Sequence, residues 1–485
     1  MSSFKRLVHS NGHAVLQDKN RRASREGSTS RGKKAPIPAA VALELPQLGE
    51  LLNVEKLARK LQSSMGPEFA VGRYQIDVCR IHSIRYKPGR ECLVLLTAFI
   101  REDERGLTRA QLFTGILFPS SSYQAAVQFW RGRSLVAPYR GPALVEIPEW
   151  HVLLLSFPND PRLPGLGLMA DSEQVLSYLQ ATPSATDLDY SPLTIHAHMK
   201  KYVPGRRCGY LYRLALRSFN FQRPTANIFA KAYHDGEGEH AYRIMQQLWD
   251  SDQRKRGELL LPQPYSFDQY QKILWQEALT GLPLIKAASG SKAFAALAAE
   301  TGKRLAAYHS MRLELPVQMT LAYQIDALRR SLQPMRQIFP DHAGRCERLV
   351  DRLLTAAAML APWPNSPVHA SFGFSRIFVT ARGVAFVSFD GANLGDPGQD
   401  LGRFVAQVYK MAITGRLALA NAEQVFSSFC AGYNSAVTRP IPEERIRWFA
   451  TSHLISSLFH EAVTRLCPAP ARRMLVIADR LYANN

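Results

Sequence analysis

The 485-residue chain predicts an α+β protein in which β-rich segments come first and a mostly helical part closes the chain. Three observations predict it. Strand-like runs punctuated by Pro-Gly turns occur twice in the first half, each time followed by a helical pattern. From Ala293 onward the apolar spacing is helical. Within that helical part, Ile377–Thr380 and Val384–Phe389 are short apolar, β-rich runs around Ala381-Arg382-Gly383, the pattern of a hairpin.

Composition sets the outer bounds. A chain that is 46% apolar and 21% charged is ordinary for a globular protein long enough for two or more cored units. No run of 18 apolar residues exists, so no membrane span is expected. Cys79, Cys92, Cys208, Cys346, Cys430 and Cys467 are dispersed without a Cys-x-x-Cys pair, which argues against a zinc site or a disulfide framework. A reducing, cytoplasmic setting is the expectation.

The net charge is +20, and residues 1–35 supply +7 of it through nine Lys or Arg against Asp18 and Glu26. Residues 1–40 therefore read as a basic disordered tail with little apolar surface to bury. An organelle transit peptide has the same Arg- and Ser-rich, acid-poor composition, and a weak anchor for nucleic acid or acidic lipid stays open. The remaining charge is spread along the chain and favours anionic partners in general.

Residues 41–190 open with a helical pattern at Val54–Leu61, apolar at Val54, Leu57, Ala58 and Leu61. Comparison of the chain with itself then finds an internal duplication. Tyr86-Lys-Pro-Gly-Arg-Glu-Cys92 recurs as Tyr202-Val-Pro-Gly-Arg-Arg-Cys208, and the same offset aligns Gln111-Leu-Phe-Thr-Gly115 with Asn227-Ile-Phe-Ala-Lys231. Each copy reads as strand, turn, strand, third strand and helix, the helices at Tyr123–Trp130 and Gly238–Trp249. The second copy occupies residues 191–285 and ends in the strand pattern Ile273–Leu279. In residues 286–485, helices are expected at Leu297–Met311, Leu321–Leu332, Cys346–Leu360, Ala412–Tyr433, Glu443–Leu466 and Ala471–Tyr482.

The most specific stretch is Val368–Phe404. Behind its hairpin, Gly395-Asp396-Pro397 breaks the chain and Asp400 heads an apolar helix pattern through Leu401, Phe404, Val405 and Val408. The order His369, loop, hairpin, Asp390, Gly395-Asp396-Pro397, Asp400-Leu401 resembles the aminoglycoside phosphotransferase and choline kinase family. In that family the loop reads His-Gly-Asp, with Asn five residues after the Asp, then Ile-Asp-Phe-Asp and Gly-Asp-Pro…Asp-Leu. The resemblance covers roughly residues 195–485 and implies a protein kinase-like two-lobed fold. The second copy would then form the N-lobe, and the first copy would be an additional, degenerate N-lobe-like unit that precedes it in the chain.

The resemblance also implies a nucleotide site. Lys231 would contact phosphate with Glu239 as its ion-pair partner, and the backbone near Gln276, Glu277 and Ala278 would hold adenine. Without the resemblance, the preferred reading of Lys231 is a strand-edge lysine reaching solvent. Gly115 stands at the aligned place of the first copy, which leaves that copy without a phosphate-gripping lysine. The Pro204-Gly205-Arg206-Arg207 turn lies where a phosphate-covering loop would sit and its arginines could contact anions, but no Gly-x-Gly-x-x-Gly is present, and on sequence alone a plain type I or II turn with solvated arginines is the preferred reading.

The reaction centre departs from the family pattern. Ser371 stands where the catalytic Asp belongs, Arg376 replaces the metal-binding Asn, and Ser388 replaces the first, metal-binding Asp of the hairpin. Each change adds one unit of positive charge, and hard cations require oxygen ligands, preferably carboxylates. Such a site repels Mg²⁺ and attracts phosphate, with the Arg376 guanidinium standing in the place of the metal. Asp390, two residues beyond Ser388 and so on the same strand face, remains as a candidate metal ligand or catalytic carboxylate, against a turn-capping role. Asp396 and Asp400 read as structural, holding loop and helix-start amides; the resemblance implies that His369 mainly holds the loop together, and His309 reads as a packed or capping residue.

Three readings follow. The first is a catalytically impaired pseudokinase that binds a nucleotide, another anion or a protein partner, with ATP as the implied cofactor and weak or no Mg²⁺ dependence. The second is an ATP-dependent phosphotransferase of a small hydroxyl compound that uses Asp390 in a rearranged site. The third is a basic nucleic-acid-binding protein.

Overall fold

The computed structural model describes residues 37–102, 106–186, 191–217, 225–288, 290–466 and 471–483. Residues 1–36, on which the basic-tail expectation falls, lie outside the described residues. The chain divides into two compact units: one runs to Glu239 and includes Tyr265–Ala278, and the other comprises His240–Pro264 and Leu279–Asn485. The α+β class holds, with antiparallel sheets in the first unit and a helix-rich second unit. No described helix is long and apolar enough to cross a membrane.

The first unit contains two five-stranded sheets. One consists of β1 (Tyr74–Lys87), β2 (Glu91–Glu102), β3 (Leu107–Leu117), β4 (Leu144–Ile147) and β5 (Val152–Ser156). The other consists of β6 (Pro192–Val203), β7 (Arg207–Leu216), β8 (Thr225–Tyr233), β9 (Pro264–Asp268) and β10 (Ile273–Glu277). Their strand orders are the same, β1-β2-β3-β5-β4 and β6-β7-β8-β10-β9. The duplication reaches into irregular detail. The first strand of each sheet bulges at the same repeat position, Ile76/Val78 and Pro192/Thr194. A left-handed, non-glycine residue precedes the fourth strand in the sheet order of each, His151 (φ 46) and Lys272 (φ 55). Its carbonyl accepts from Phe118 in one copy and Tyr233 in the other, at 3.1 and 3.0 Å.

The repeated Tyr-x-Pro-Gly turn has a common physical task, which is to hold a carboxylate. In the first copy the Gly89 amide donates to Glu44 at 2.8 Å and the Tyr86 hydroxyl donates to the same carboxylate. In the second, Gly205 and Tyr202 donate to Asp160 at 2.6 and 2.9 Å. Glycine is needed because φ is +69 at Gly89 and +65 at Gly205, in the left-handed region. Asp160 belongs to the first copy and the turn to the second, so this contact joins the two. Arg85 adds to it by donating to the Pro204 carbonyl at 2.6 Å. Leu112, Leu163, Leu166, Met169 and Leu179 share one apolar core with Met199, Tyr210, Ala230 and Trp275. The backbone of the Pro204-Gly205 turn is thus docked on the first copy.

The ladders also correct the residue matched to Lys231. Leu93 pairs with Ile116, and Gly209, 116 residues beyond Leu93, pairs with Lys231. Ile116, not Gly115, therefore occupies the place of Lys231, because the β7–β8 register is shifted by one relative to β2–β3. A one-residue slip exchanges the faces of a strand, so ungapped alignment cannot assign this position.

In the second unit the hairpin β14 (Ile377–Thr380) and β15 (Gly383–Phe386) pairs with β11 (Leu282–Pro283), and β12 (Val317–Met319), β13 (Ser366–Val368) and β16 (Asn393–Gly395) form a further small sheet. The helices Ser291–His309 and Leu419–Asn434 cross closely enough that a Cβ at Gly302 or Gly432 would lie 2.2 or 2.1 Å from a carbonyl oxygen of the other helix. The helix expected over Ala412–Tyr433 is instead two, Gly398–Ile413 and Leu419–Asn434. Arg416 donates to Met411 and Gly415 (φ 72) to Ala412, a Schellman ending that stops the first helix where only glycine fits well. The helix expected over Glu443–Leu466 runs as α-helix to Phe459 and widens into a π turn at His460–Thr464.

Candidate functional site

Lys231, Glu239, Gln276, Glu277 and Ala278 all lie in the first unit, and His369, Ser371, Arg376, Ser388, Asp390, Asp396 and Asp400 in the second. Lys231 sits on the face of β8 opposite the shared core; it is 7% exposed and flanked by Gly209 on β7 and Leu274 on β10. Its Nζ lies 4.7 Å from the centre of the Tyr233 ring. Glu239 stands in the first turn of the helix Glu237–Asp250. Gln276 and Glu277 end β10, and Ala278 donates its amide to Asn227 at 3.3 Å, so that donor is already engaged.

In the second unit the loop after β13 is built on Asp400. This carboxylate is 0% exposed and accepts from the amides of His369 (2.6 Å) and Ala370 (3.0 Å) and lies 3.2 Å from His309 Nε2. Burial alone would raise its pKa, but the hydrogen bond and charge of His309 together with the His369 amide hold it below the usual carboxylate range. His309 is the last residue of its helix, and its Nδ1 lies 2.9 Å from the Tyr433 hydroxyl. Burial depresses His369, which is neutral near pH 7. Its Nε2–H then donates to the Val387 carbonyl at 3.0 Å, and the Ser371 hydroxyl, 3.3 Å from Nδ1, donates to the ring.

Ala370 is left-handed, with φ 57, inside a three-residue turn closed by Ser371 N–H to His369 O at 2.7 Å. The resembling family has glycine here. A Cβ in this region costs roughly 1 kcal/mol. Ala370→Gly is expected to stabilise the protein by a few tenths to about 1 kcal/mol in denaturant unfolding, and a loss of stability would show that the turn tolerates its methyl without strain.

Asp396, 3% exposed, is engaged by Arg445 on the helix Glu443–Phe459. The Arg445 Nε lies 3.2 and 3.1 Å from the two carboxylate oxygens, Nη2 donates to Asp396 as well, and Nη1 donates to the Ala361 carbonyl at 2.8 Å. Asp396 also accepts from the Gly398 amide at 2.9 Å.

Ser388 and Asp390 do not share a strand face, contrary to the period-two reading. β15 ends at Phe386, and Ser388 has φ 66, which breaks the alternation before Asp390 is reached. Asp390 is 9% exposed. Arg376 is half-buried, donates from Nη1 to the Ser375 hydroxyl and, like Asp390, acts electrostatically on His369.

Beside this loop the second unit holds a cavity of about 560 Å³ whose lining includes Ser375, Arg403, Lys410, Arg416, His453 and His460, with Glu461 as its carboxylate. Arg403 donates to the Ala370 carbonyl at 3.2 Å, and burial lowers its pKa. His453 is held down to about 3, by burial first and then by Arg403, so it is neutral and donates to the Gln399 carbonyl at 3.0 Å. Sequence reasoning missed Arg403, Arg445 and His453. Arg403 follows Asp400 by one helical turn and carried a local signal; the other two come from a distant helix whose residues have no motif.

No known family profile and no curated protein matches the sequence. Among solved structures the chain is similar to aminoglycoside phosphotransferase APH(4)-Ia, at 12% identity over 60% of this chain and 95% of that one, with a TM-score of 0.44. It is similar to spectinomycin phosphotransferase APH(9)-Ia in complex with ADP and spectinomycin, at 13% identity over 64% and 93%, with a TM-score of 0.40. It is also similar to a choline/ethanolamine kinase family protein of Mesorhizobium loti, at 15% identity over 55% and 84%, again with a TM-score of 0.40.

Proposed function

We propose that the chain is a catalytically impaired relative of the aminoglycoside phosphotransferases and choline kinases that binds a nucleotide or another anion without depending on Mg²⁺. The observation that carries this reading is the engagement of the carboxylates in the motif stretch. Asp396 is held by Arg445 and Asp400 by loop amides and His309, both deeply buried. The positions aligned with the catalytic base and the metal ligands carry Ser371, Arg376 and Ser388. Asp390 with two hydroxyls and a guanidinium is a poor donor set for a hard divalent cation. It suits phosphate oxygens, which Arg376 would bind through paired N–H groups. The neighbouring cavity, rich in Arg403, Lys410 and Arg416, favours an anionic or hydroxyl-rich ligand over a cationic one. Lys231 and Glu239 would serve the nucleotide phosphates, and the Gln276–Glu277 backbone the base.

A second reading rests on Asp390. Its burial beside His369 and Arg376 is compatible with an active ATP-dependent phosphotransferase that works with a single carboxylate. Calorimetric titration of the full chain with ATP, in MgCl₂ and in EDTA, separates the two. Comparable affinity in both buffers and no ADP formation are expected, with Arg376→Ala weakening ATP at least tenfold. Binding that requires Mg²⁺, or turnover abolished by Asp390→Asn, would establish the second reading instead.

A further inference from the structure

The face of the first sheet that carries Ile116 is covered by the helix Ser120–Arg131, and between them the first unit encloses a cavity of about 410 Å³. Its wall is apolar, formed by Leu93, Ile116 and Leu155 from the sheet and Ala126, Phe129 and Trp130 from the helix. Three arginines, Arg85, Arg133 and Arg162, also line it. Arg133 lies over the Phe129 ring at 4.4 Å.

The two carboxylates of the lining are already engaged. Glu91 accepts from Lys87 at 2.5 Å, and Asp160 accepts from the Tyr202 hydroxyl and the amides of Gly205 and Arg162. Arg85 donates from Nη2 to Pro204, while its Nε is buried and has no hydrogen-bond partner among the described residues. Burial lowers the Arg85 pKa, and so do the nearby charges of Arg206 and Arg162; Glu91 and Asp160 act in the opposite sense. A buried N–H with no acceptor is costly, as are guanidinium groups gathered together, and an anion relieves both. The volume falls within the range of small-molecule sites, and an apolar wall with a few convergent polar groups is their usual construction.

We propose that this cavity binds a small amphipathic anion, its apolar body between Ile116 and Trp130 and its phosphate or carboxylate head on Arg85 and Arg162. The duplication supplies the physical logic. Where the second sheet carries Lys231 opposite Gly209, the first carries Ile116 opposite Leu93, so the same face has lost its charge and gained an apolar floor. Positive charge is supplied instead by the lining arginines Arg85, Arg133 and Arg162.

The test uses the full chain and three probes: 1-naphthyl phosphate, 1-naphthoate and inorganic phosphate. Naphthyl phosphate or naphthoate is expected to bind with an affinity reduced at least tenfold by Arg85→Met and by the cavity-filling Ala126→Phe, and unchanged by Lys231→Met. Ala126→Phe keeps the test decisive if Arg85→Met disturbs the Pro204 contact and the fold. Tighter binding of naphthyl phosphate than of naphthoate identifies the head as phosphate, and equal binding shows that a carboxylate suffices. The proposal is overturned if neither naphthyl compound binds, if Ala126→Phe leaves binding unchanged, if Lys231→Met abolishes it, or if inorganic phosphate binds as tightly as naphthyl phosphate.

Discussion

Arg445→Ala is expected to lower the stability of the second unit by about 3–5 kcal/mol, read as a shift of its denaturant transition. The two partners are each 3% exposed, and Arg445 reaches both Asp396 oxygens as well as the Ala361 carbonyl. Truncation leaves the Asp396 carboxylate buried on the Gly398 amide with no cation to compensate its charge. The cost comes from that uncompensated charge and not from the worth of the pair itself. The double variant Asp396→Leu/Arg445→Met removes both charges and is expected to lie closer to the wild type than either single change. A double variant as unstable as Arg445→Ala would show that packing around the helix Glu443–Phe459, and not charge, sets the effect.

Asp400→Ala is expected to cost at least about 3 kcal/mol, because it orphans three buried groups at once: the amides of His369 and Ala370 and the His309 ring. The same loop makes the protein sensitive to acid. The His369 and His453 pKa values are depressed in the folded state, His453 to about 3. Below about pH 6.5 the unfolded chain therefore binds more protons than the folded one, and stability falls as pH falls. His453 alone contributes a slope of up to about 1.4 kcal/mol per pH unit in that window. Asp400, also depressed, contributes stability that is present above about pH 4 and is lost only below it. Denaturant midpoints measured from about pH 8 to about pH 4 should be flat at the alkaline end and fall from about pH 6.5. A midpoint independent of pH across this range would show that these histidines are not buried as neutral rings.

Much of the scaffold was legible because local chemistry carries it. The helices Ala471–Ala483 and Leu321–Ile338 follow from apolar spacing, and β14 from a β-rich run before a glycine turn. Gly395-Asp396-Pro397 announced a break before the helix Gly398–Ile413. The break at Thr414–Gly415 was missed because apolar periodicity continues across it, while the Schellman hydrogen bonds that end the helix depend on backbone angles. Period-two alternation would put Asp390 on the same strand face as Ser388, and the left-handed Ser388 ends that alternation.

Residue type and spacing alone establish that the chain is α+β and that a Tyr-x-Pro-Gly unit is duplicated. These are properties of short segments, for which local pattern suffices. What the segments hold emerges only when the chain is folded. Glu44 reaches the first turn from ahead of β1 and Asp160 reaches the second turn from the first copy, Arg445 reaches Asp396 from 49 residues away, and a one-residue register shift puts Ile116 in the place of Lys231. Such partners are chosen by packing and by the need to satisfy buried charge, and neither leaves a mark in local sequence.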